Sequence, residues 1–536
     1  MTTGSKSDAT EEVIVRTVAV GGSAFSRALQ AGELGSSWYA ERPAGVAAWR
    51  THARSVLESF GGRDWLGPLL PAFTANGTGT VPARLSNAAR NGVLITTGQQ
   101  PGLFGGPGYT WSKAVSALAV ADALEAELGI PVAPVFWAAT DDADWLEAAV
   151  THLATSHGLE ELSLAGPPSD GVAMREVASG PLSGLLERLM LACGSGAHPS
   201  VIEAVRAAYT DDSSVGAAYL GLLRHFLEPL GIAVFDAGHP AARAAAHPFL
   251  CRALESADAV DQALRARVAE IKASGYFPQV ELMDGLSLVF NTPEPGAERS
   301  RIQLSEALQT ARTAAPGSLG ANVLLRPVIE RSLMPTLCYM GGPGEFAYFA
   351  QVAPVATAIG LPVPVTATRW ACEVVEASTL ARQKQLGVDD AQLMDPHAAE
   401  QAVARRELDQ SLETALSDLR THVSSQVDAL AEVLSRIPME KELVADSVLE
   451  GLDRDLQHRL DRFERRLLAG VKRLNADLMR ETAALRAALR PLGQSPERVL
   501  NFIPILARYG PAIFDRMRSR AAQHARCLVT GQPTEG

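Results

Sequence analysis

The chain has 536 residues, more than the roughly 250 to 300 that one hydrophobic core usually serves, so we expect two or more structural units. Hydrophobic residues make up 47% of the chain and charged residues 20%, and no run approaches the roughly 18 apolar residues of a membrane span, which excludes a membrane protein. The net charge of -12 argues against nucleic-acid binding, and the dispersed histidines and cysteines predict neither a metal site formed by protein ligands alone nor a disulfide framework.

The first predicted βαβ unit begins with the apolar run VLITT, from Val93 to Thr97. A glycine-rich turn follows and leads into a helix that ends at Gly129. The next apolar run, IPVAPVFWAAT, is typical of a buried parallel strand and leads into the acidic segment DDADW. Ligands of parallel sheets bind at the carboxyl ends of the strands, so the glycine turn and the acidic segment should face one crevice.

Later segments add strands to this core. GIAVFDAG predicts a buried strand that ends at Asp236, and GYFPQVEL and LSLVFNTPEPGAERSRIQL alternate like antiparallel strands. The segment from Val323 to Val365 returns to strand, glycine turn, helix and strand. We therefore predict an α/β core assembled from distant parts of the chain.

Charged helix formers dominate beyond about Leu380. Between Leu449 and Leu489, apolar residues recur mostly at spacings of three and four, which predicts a coiled-coil seam on the order of 60 Å long. Either an antiparallel helix from about Pro396 to Arg436 or a second subunit must cover that seam. We expect a homodimer formed through the coiled coil.

The glycine-rich turn is the first candidate site. Its backbone can approach a ligand closely, the helix that follows presents a positive dipole end to an anion, and Lys113 adds a full charge. Neither the P-loop nor the dinucleotide fingerprint is present, and a tight turn whose glycines serve packing alone is the alternative. The candidate binding residues are Thr97, Gly98, Gln99, Gln100, Gly105, Gly106, Tyr109 and Thr110.

The acidic segment is the second candidate. Thr140 precedes three carboxylates within four residues, Asp141, Asp142 and Asp144. Their mutual repulsion can be relieved by a cation, a substrate ammonium group or a shared proton. The alternative is a solvated helix start stabilised by the helix dipole.

A second glycine turn is the third candidate. Gly344 opens a helix on which Glu345, Tyr348 and Gln351 share one face, and Arg326 could clamp a carboxylate or a phosphate. The alternative places Tyr348 in the core and leaves Glu345 as a helix cap.

Four ordered blocks, TGQQPGLFGGPGYTWSKA, PVFWAATDDADW, LLRPVIERSLMPTLCYMGGPGEFAYFAQ and ERVLNFIPILARYG, resemble the BshC family, enzymes thought to add cysteine to glucosaminyl-malate in bacillithiol synthesis. The resemblance implies a Rossmann-like core over residues 1–380 with inserts at about 162–300. It also implies a dimerising coiled-coil arm over 381–492 and a C-terminal segment, 493–536, that packs back on the core.

The chain departs from the family pattern at several positions. Ala143 stands where the family has a histidine, Glu330 and Arg331 replace a Gln-Asp pair, and a Pro-Arg-x-Ser block survives only around Arg369. These changes bear on the identity of the acceptor and of the amino acid more than on the fold.

From the residues and the resemblance together we expect a cytoplasmic ligase that joins L-cysteine to the amine of a sugar-malate acceptor, since no secretory signal is present. Asp141, Asp142, Asp144 and Lys113 are the expected catalytic residues, and Arg369 joins the binding residues named above. The energy donor is unknown, with ATP or another nucleotide and Mg²⁺ as candidates. The alternatives are a ligase for another amino acid and amine, or a non-catalytic coiled-coil scaffold.

Overall fold

The computed structural model describes residues 12–75, 80–166, 171–292, 297–437 and 444–532. They form two compact units. The α/β unit comprises Val13–Leu153, Glu161–Val374 and the chain from Glu497 onwards, and the helical unit comprises Val375–Pro496 with Ala154–Glu160 and Glu12. Within the described ranges, no helix has both the length and the apolar character that crossing a bilayer requires.

The strands and helices are labelled in chain order. The strands are β1 Val13–Val18, β2 Val93–Gln99, β3 Val132–Ala138, β4 Val150–Thr155, β5 Gly158–Ser163, β6 Ala233–Asp236, β7 Leu286–Asn291, β8 Ser300–Gln303, β9 Leu319–Ala321, β10 Thr336–Gly341, β11 Thr366–Thr368 and β12 Ala371–Glu376. The helices are α1 Ala24–Gln30, α2 Val46–Phe60, α3 Leu66–Phe73, α4 Ala83–Asn91, α5 Gly108–Leu128, α6 Trp145–Ala148, α7 Ser183–Cys193, α8 Pro199–Ala208, α9 Val215–Leu227, α10 Pro240–Glu255, α11 Ala257–Ala273, α12 Ala307–Thr313, α13 Arg326–Leu333, α14 Pro343–Ile359, α15 Ala377–Leu386, α16 Asp390–Met394, α17 Pro396–Arg406, α18 Gln410–Ser435, α19 Asp446–Leu474, α20 Ala476–Leu489, α21 Pro496–Val499, α22 Ile503–Tyr509 and α23 Ile513–Thr530.

The main sheet of the α/β unit is parallel and has the order β11-β10-β2-β3-β6. Starting from β2, the chain first adds β3 and β6 on one side and then β10 and β11 on the other. Doubly wound sheets bind ligands where the order reverses in this way, at the carboxyl ends of the strands. That point lies between the end of β2, at Gln99, and the end of β10, at Gly341. The predicted α/β fold with a parallel sheet is confirmed.

Both faces of this sheet are covered, which explains why its central strands are apolar along their length. Alternate side chains enter two separate cores: Val93 and Ile95 of β2 pack into one, and Leu94 packs into the other. Helix α5 lies in the first core and packs against both β2 and α23, so it is buried on nearly all sides of its first four turns. The predicted strand ending at Asp236 is confirmed as β6.

A smaller antiparallel sheet, with the order β8-β7-β9, is inserted in the chain between β6 and β10 of the main sheet. The antiparallel strands predicted in the segment that contains Phe290 and Arg301 are confirmed, and these two residues are cross-strand partners. The strand predicted in GYFPQVEL is wrong, because residues 275–282, all described, form none. The backbone N–H and C=O of Val280 bond instead to the side-chain amide of Gln351, at 3.0 and 2.8 Å.

The first glycine turn is stabilised by hydrogen bonds from the block ERVLNFIPILARYG, which we call the late block. Phe104 adopts a left-handed φ of 52°, a conformation that costs energy for a residue with a side chain. The buried side-chain amide of Asn501 donates to the carbonyl oxygens of Leu103 and Phe104, at 3.1 Å each, and to Thr151 Oγ1 at 3.1 Å. Residues about 400 positions apart in the chain therefore stabilise one turn.

The helical unit contains an antiparallel pair formed by α18 and α19. Arg420 of α18 pairs with Asp461 and Glu464 of α19, whereas Ser424, one turn further on, reaches back to Asp453. The sequence predicted that either an antiparallel helix or a second subunit packs on the seam. The antiparallel helix is present within the chain. The seam is not one continuous helix, because the backbone leaves the helical conformation at Asn475 between α19 and α20.

Replacing Asn501 by alanine should lower the free energy of unfolding of the α/β unit by about 2 to 4 kcal/mol, because buried carbonyl groups lose their donor. Chemical denaturation monitored by far-UV circular dichroism measures the change. Asn87→Ala, at an exposed position on α4, is the control and should change the same quantity by less than about 0.5 kcal/mol. Equal effects of the two variants would contradict the assigned role of Asn501.

Candidate active site

A cleft with a volume of about 440 Å³ opens at the point where the order of the main sheet reverses. The ends of β2 and β3, the starts of α13 and α14, and the small antiparallel sheet contribute to its walls. We call this the cleft. Its lining residues are Gly98, Gln99, Gln100, Tyr109, Lys113, Trp137, Ala139, Asp141, Asp142, Phe290, Arg299, Arg301, Ala321, Asn322, Val323, Arg326, Gly342, Pro343, Gly344, Glu345, Tyr348, Arg369 and Arg498.

The ammonium group of Lys113, in one wall of the cleft, has three partners within the protein. It donates to Gly98 O at 2.9 Å and to Gln99 Oε1 at 2.8 Å, and pairs with Glu345 Oε2 at 2.5 Å. An ammonium group has three donors, so all of them are used. Burial lowers the pKa of Lys113, and the Glu345 carboxylate opposes that shift. Lys113 thus joins the end of β2 to the start of α14 and has no spare donor for a phosphate.

The carboxylate of Glu345 has two hydrogen-bond donors besides Lys113. It accepts from the backbone N–H of Gly342 at 2.7 Å and from the Tyr339 hydroxyl at 2.5 Å. Burial by itself would raise the pKa of Glu345, but the Lys113 charge and these hydrogen bonds bring it below its usual value. Glu345 is therefore an ionised helix cap as well as an ion-pair partner.

Arg326 belongs to a largely buried network in the wall of the cleft. Its guanidinium donates to the hydroxyls of Tyr348 at 3.0 Å and Tyr339 at 3.3 Å, and pairs with Glu330 at 3.4 Å. Burial raises the pKa of Glu330 to about 7, against the attraction of Arg326 and a hydrogen bond from Thr96. Arg326, expected from the sequence to clamp a substrate anion, is largely occupied by these partners.

The acidic segment brings two of its three carboxylates into the cleft. Asp142 Oδ1 accepts from the N–H of Ala143 at 2.6 Å and pairs with Arg299 at 3.3 Å, while Arg299 also donates to the carbonyl oxygen of Asp141 at 3.0 Å. Burial and the neighbouring Asp142 charge both raise the pKa of the Asp141 carboxyl. Asp144 lies outside the cleft lining, where it caps α6 by accepting from the N–H of Glu147 at 3.1 Å.

Of the glycines of the first turn, Gly98 lines the cleft, whereas Gly105, Gly106 and Gly108 do not. The N–H of Gly105 donates to the Tyr209 hydroxyl at 3.1 Å, and the N–H of Gly108, at the start of α5, donates to Leu500 O at 3.0 Å. Gly106 is buried beside Gly102 and Thr110. The helix start that the sequence offers as an anion site is thus covered by the late block around Leu500.

Three other expected binding residues also bond away from the cleft. Thr97 donates to Met340 O at 2.8 Å and so ties β2 to β10. Thr140 donates to Asp236, which also pairs with Arg175. Gln351 bonds to the backbone of Val280 and does not share the cleft-facing side of α14 with Glu345.

Arg369 lines the cleft but is bound to an acidic partner. Its guanidinium pairs with Glu497 at 2.6 Å and donates to Ser112 at 3.0 Å, and its side chain is 1% exposed. The cleft therefore gathers Gly98, Gln99, Gln100, Tyr109, Lys113, Asp141, Asp142, Arg326, Gly344, Glu345, Tyr348 and Arg369 from the expected set.

Several functional candidates were missed by the sequence analysis. Arg299, Arg301 and Asn322 come from the inserted sheet and its edge, and Arg498 comes from the late block. Only Arg299 and Arg301 could have been found from the sequence. These two arginines are two residues apart in ERSRIQL, and such residues face the same side of an extended segment. Glu147 was missed as well.

Glu147 organises the two adjacent glutamines at the cleft mouth. Its carboxylate accepts from Gln100 at 2.6 Å, from Tyr109 at 2.9 Å and from Gln99 at 3.2 Å. Because Gln99 also accepts from Lys113, its amide is held at both ends. Among the residues that the structure describes, no group of three or more His, Cys, Asp or Glu side chains is arranged to bind a metal ion.

Comparison with known proteins finds the same two-part architecture in one family. Residues 36–370 match the N-terminal Rossmann-like domain of bacillithiol biosynthesis BshC proteins, and residues 373–526 match their C-terminal coiled-coil domain. The two matches together cover most of the chain, and only residues 371 and 372 lie between them.

Full-length relatives give the same result. A protein of Solibacter usitatus named "Putative cysteine ligase BshC" is 28% identical over 466 residues, which cover 83% of this chain and 86% of the relative. Proteins of the same name from Desulforamulus reducens and Geobacillus thermodenitrificans are each 26% identical, covering 79% and 78% of this chain and 81% and 80% of the relatives. With a Rossmann-like sheet, a helical coiled-coil region and both domain matches in the family's order, this chain belongs to the BshC family.

Proposed function

We propose that this chain is a cytoplasmic ligase that joins the carboxyl group of L-cysteine to the amine of glucosaminyl-malate, a step of bacillithiol synthesis. The observation that carries this proposal is the cleft at the sheet reversal, where Asp141 and Asp142 lie beside Arg299. Carboxylates suit an amine, guanidinium groups suit a carboxylate, and an amino sugar linked to malate carries both groups. The relatives named as cysteine ligases support the same reaction class.

The two aspartates have different roles in this proposal. Asp142, held by the Ala143 N–H and by Arg299, stays oriented to bind the acceptor's ammonium group. Asp141 has a raised pKa, so it accepts a proton from the ammonium more readily than an ordinary carboxylate does. The neutral amine then attacks the activated cysteine carboxyl. A base supplied by Asp141 also accounts for the lack of the family's histidine at Ala143.

The cysteine carboxyl needs activation, because a free carboxylate is a poor acylating agent. A nucleoside triphosphate would activate the carboxyl by transferring a phosphoryl or adenylyl group to one of its oxygens, so that phosphate or AMP leaves when the amine attacks. Lys113 orients Gln99 and the start of α14, since its donors are already used. Ala143 also motivates a second candidate within the same class, a ligase for another amino acid or amine acceptor.

Homodimerisation through the helical unit is a separate proposal. Several apolar side chains of the α18–α19 pair stay exposed in the single chain, including Leu419 at 45%, Leu452 at 40% and Phe463 at 53%. Exposed apolar residues in a row along a coiled coil mark an association surface. A second copy of the chain is the occupant that we propose for it.

Asp142→Asn should lower kcat/KM for the acceptor by about 30-fold or more, because a charged partner of the ammonium group is lost. The measurement is mass-spectrometric detection of the cysteine adduct formed from glucosaminyl-malate, L-cysteine, ATP and Mg²⁺. Asp212→Asn, at an exposed loop position, is the matched control and should leave the rate unchanged. A wild-type protein that gives no adduct with any nucleoside triphosphate would contradict the proposed reaction.

The pH dependence of kcat/KM should show an acid limb whose midpoint lies above about pH 4, the usual value for an aspartate carboxyl. Asp141 must be ionised to accept a proton, so activity falls as the pH drops through its raised pKa. Asp141→Asn should lower kcat by about 100-fold or more and remove this limb. A variant that keeps the wild-type limb would show that another group is the base.

The purified protein should have about twice the chain mass of 56.7 kDa in light scattering at micromolar concentration. Phe463→Glu combined with Leu452→Glu should shift the mass to that of one chain, because charges replace apolar contacts. Arg465→Glu, an exposed neighbour on α19, should leave the mass unchanged. A single-chain mass for the wild type would rule out the dimer.

A further inference from the structure

Two arginines from the inserted part of the chain share one side of the cleft. Arg299 immediately precedes β8 and Arg301 lies within it, so the two side chains project to the same side of an extended segment. Both guanidinium groups lie over the ring of Phe290, at 4.7 and 4.9 Å from its centre. The aromatic ring restricts both groups and leaves their edges available for hydrogen bonds. We call Arg299 and Arg301 the arginine pair.

The arginine pair differs from the other buried cations of the cleft in its counter-charges. Lys113, Arg326 and Arg369 each pair with a buried or nearly buried carboxylate, namely Glu345, Glu330 and Glu497. These ion pairs are internal to the fold, and none of the three cations needs an outside anion.

Arg301 has no such carboxylate within the part of the chain that the structure describes. Its guanidinium donates to Ser287 O at 2.8 Å, and burial and the like charge of Arg299 both lower its pKa. Arg299 pairs with Asp142 at 3.3 Å, and its charge also opposes the rise in the pKa of the Asp141 carboxyl. With Arg299 matched by these aspartates, the partly desolvated Arg301 is left without a carboxylate partner among the described residues, and its charge faces the cleft. A ligand anion would neutralise it.

We propose that the arginine pair binds the dicarboxylate end of the acceptor, while Asp141 and Asp142 bind its amine. This inference rests on the proposed function and names the subsite that selects the acceptor. Planar guanidinium groups bind carboxylates through two parallel hydrogen bonds, and two such groups side by side suit a ligand with two carboxylates.

The covalent structure of the acceptor fits this arrangement. In glucosaminyl-malate the amine is on C2 of the sugar and the malyl group is attached through C1, so the cationic and anionic parts are on neighbouring carbons. A protein that binds both must place its acidic and basic groups next to each other. Arg299 and Asp142 meet that requirement with their 3.3 Å contact. Arg326, by contrast, is held in its network with Glu330 and two tyrosines.

The test compares two ligands by isothermal titration calorimetry on the full-length protein: glucosaminyl-malate and glucosamine, which lacks the malyl group. The dissociation constant of glucosamine divided by that of glucosaminyl-malate reports how much the dicarboxylate contributes to binding. In Arg301→Met this ratio should fall at least tenfold, with glucosamine affinity nearly unchanged, and Arg301→Lys should restore only part of it. Arg312→Met, at an exposed position on α12 beside the same sheet, is the matched control and should keep the wild-type ratio.

The outcomes separate this inference from the proposed function. A wild-type enzyme that forms the cysteine adduct, together with an unchanged ratio in a folded Arg301→Met variant and in Arg299→Gln, would overturn the inference and leave the ligase reaction standing. A lowered ratio without adduct formation would support the subsite and count against the reaction. Binding of inorganic phosphate is measured as well: if Arg301→Met weakens phosphate binding but leaves the glucosamine to glucosaminyl-malate ratio of dissociation constants intact, the pair binds phosphate and the inference fails.

Discussion

The ion pair between Lys113 and Glu345 is the interaction on which the rest of the site depends. It lies where the parallel sheet reverses its order, and it joins the end of β2, the body of α5 and the start of α14. Breaking a buried pair of this kind is costly, because the remaining charge keeps its desolvation penalty and loses its partner. Glu345 also accepts from Tyr339, and through Tyr339 the pair connects to the Arg326 network. The cleft wall is therefore one bonded unit.

This bonding pattern divides the charges of the cleft into two groups. Lys113, Arg326 and Arg369 neutralise carboxylates of the protein itself and give the cleft its shape. Asp141, Asp142 and the arginine pair are less completely matched by protein partners and face the open volume. In a partly desolvated site, incompletely matched charges are the ones that gain most from a ligand of opposite charge. The unmatched set is zwitterionic, as an amino sugar linked to a dicarboxylate is.

Different parts of the chain contribute these two groups. The bonded wall comes from the parallel sheet and its two glycine turns. The arginine pair comes from the inserted antiparallel sheet, where Phe290 of β7 supports both guanidinium groups. Ligand selection placed on an insert can change without disturbing the sheet that supports the chemistry.

The amino-acid sequence by itself determined the parallel α/β core, the helical region and the position of the first two candidate segments at strand ends, because apolar periodicity and glycine turns are local properties. It identified Asp141, Asp142 and Glu345 through the same local patterns. Only the tertiary structure decided which polar groups remain available, because hydrogen-bond partners come from distant residues. Leu500 covers the start of α5, and the side chain of Gln351 replaces the strand partner that GYFPQVEL would have needed. The three donors of Lys113 are used by Gly98, Gln99 and Glu345. Spacing along the chain shows where a donor stands, but not which acceptor the fold brings to it.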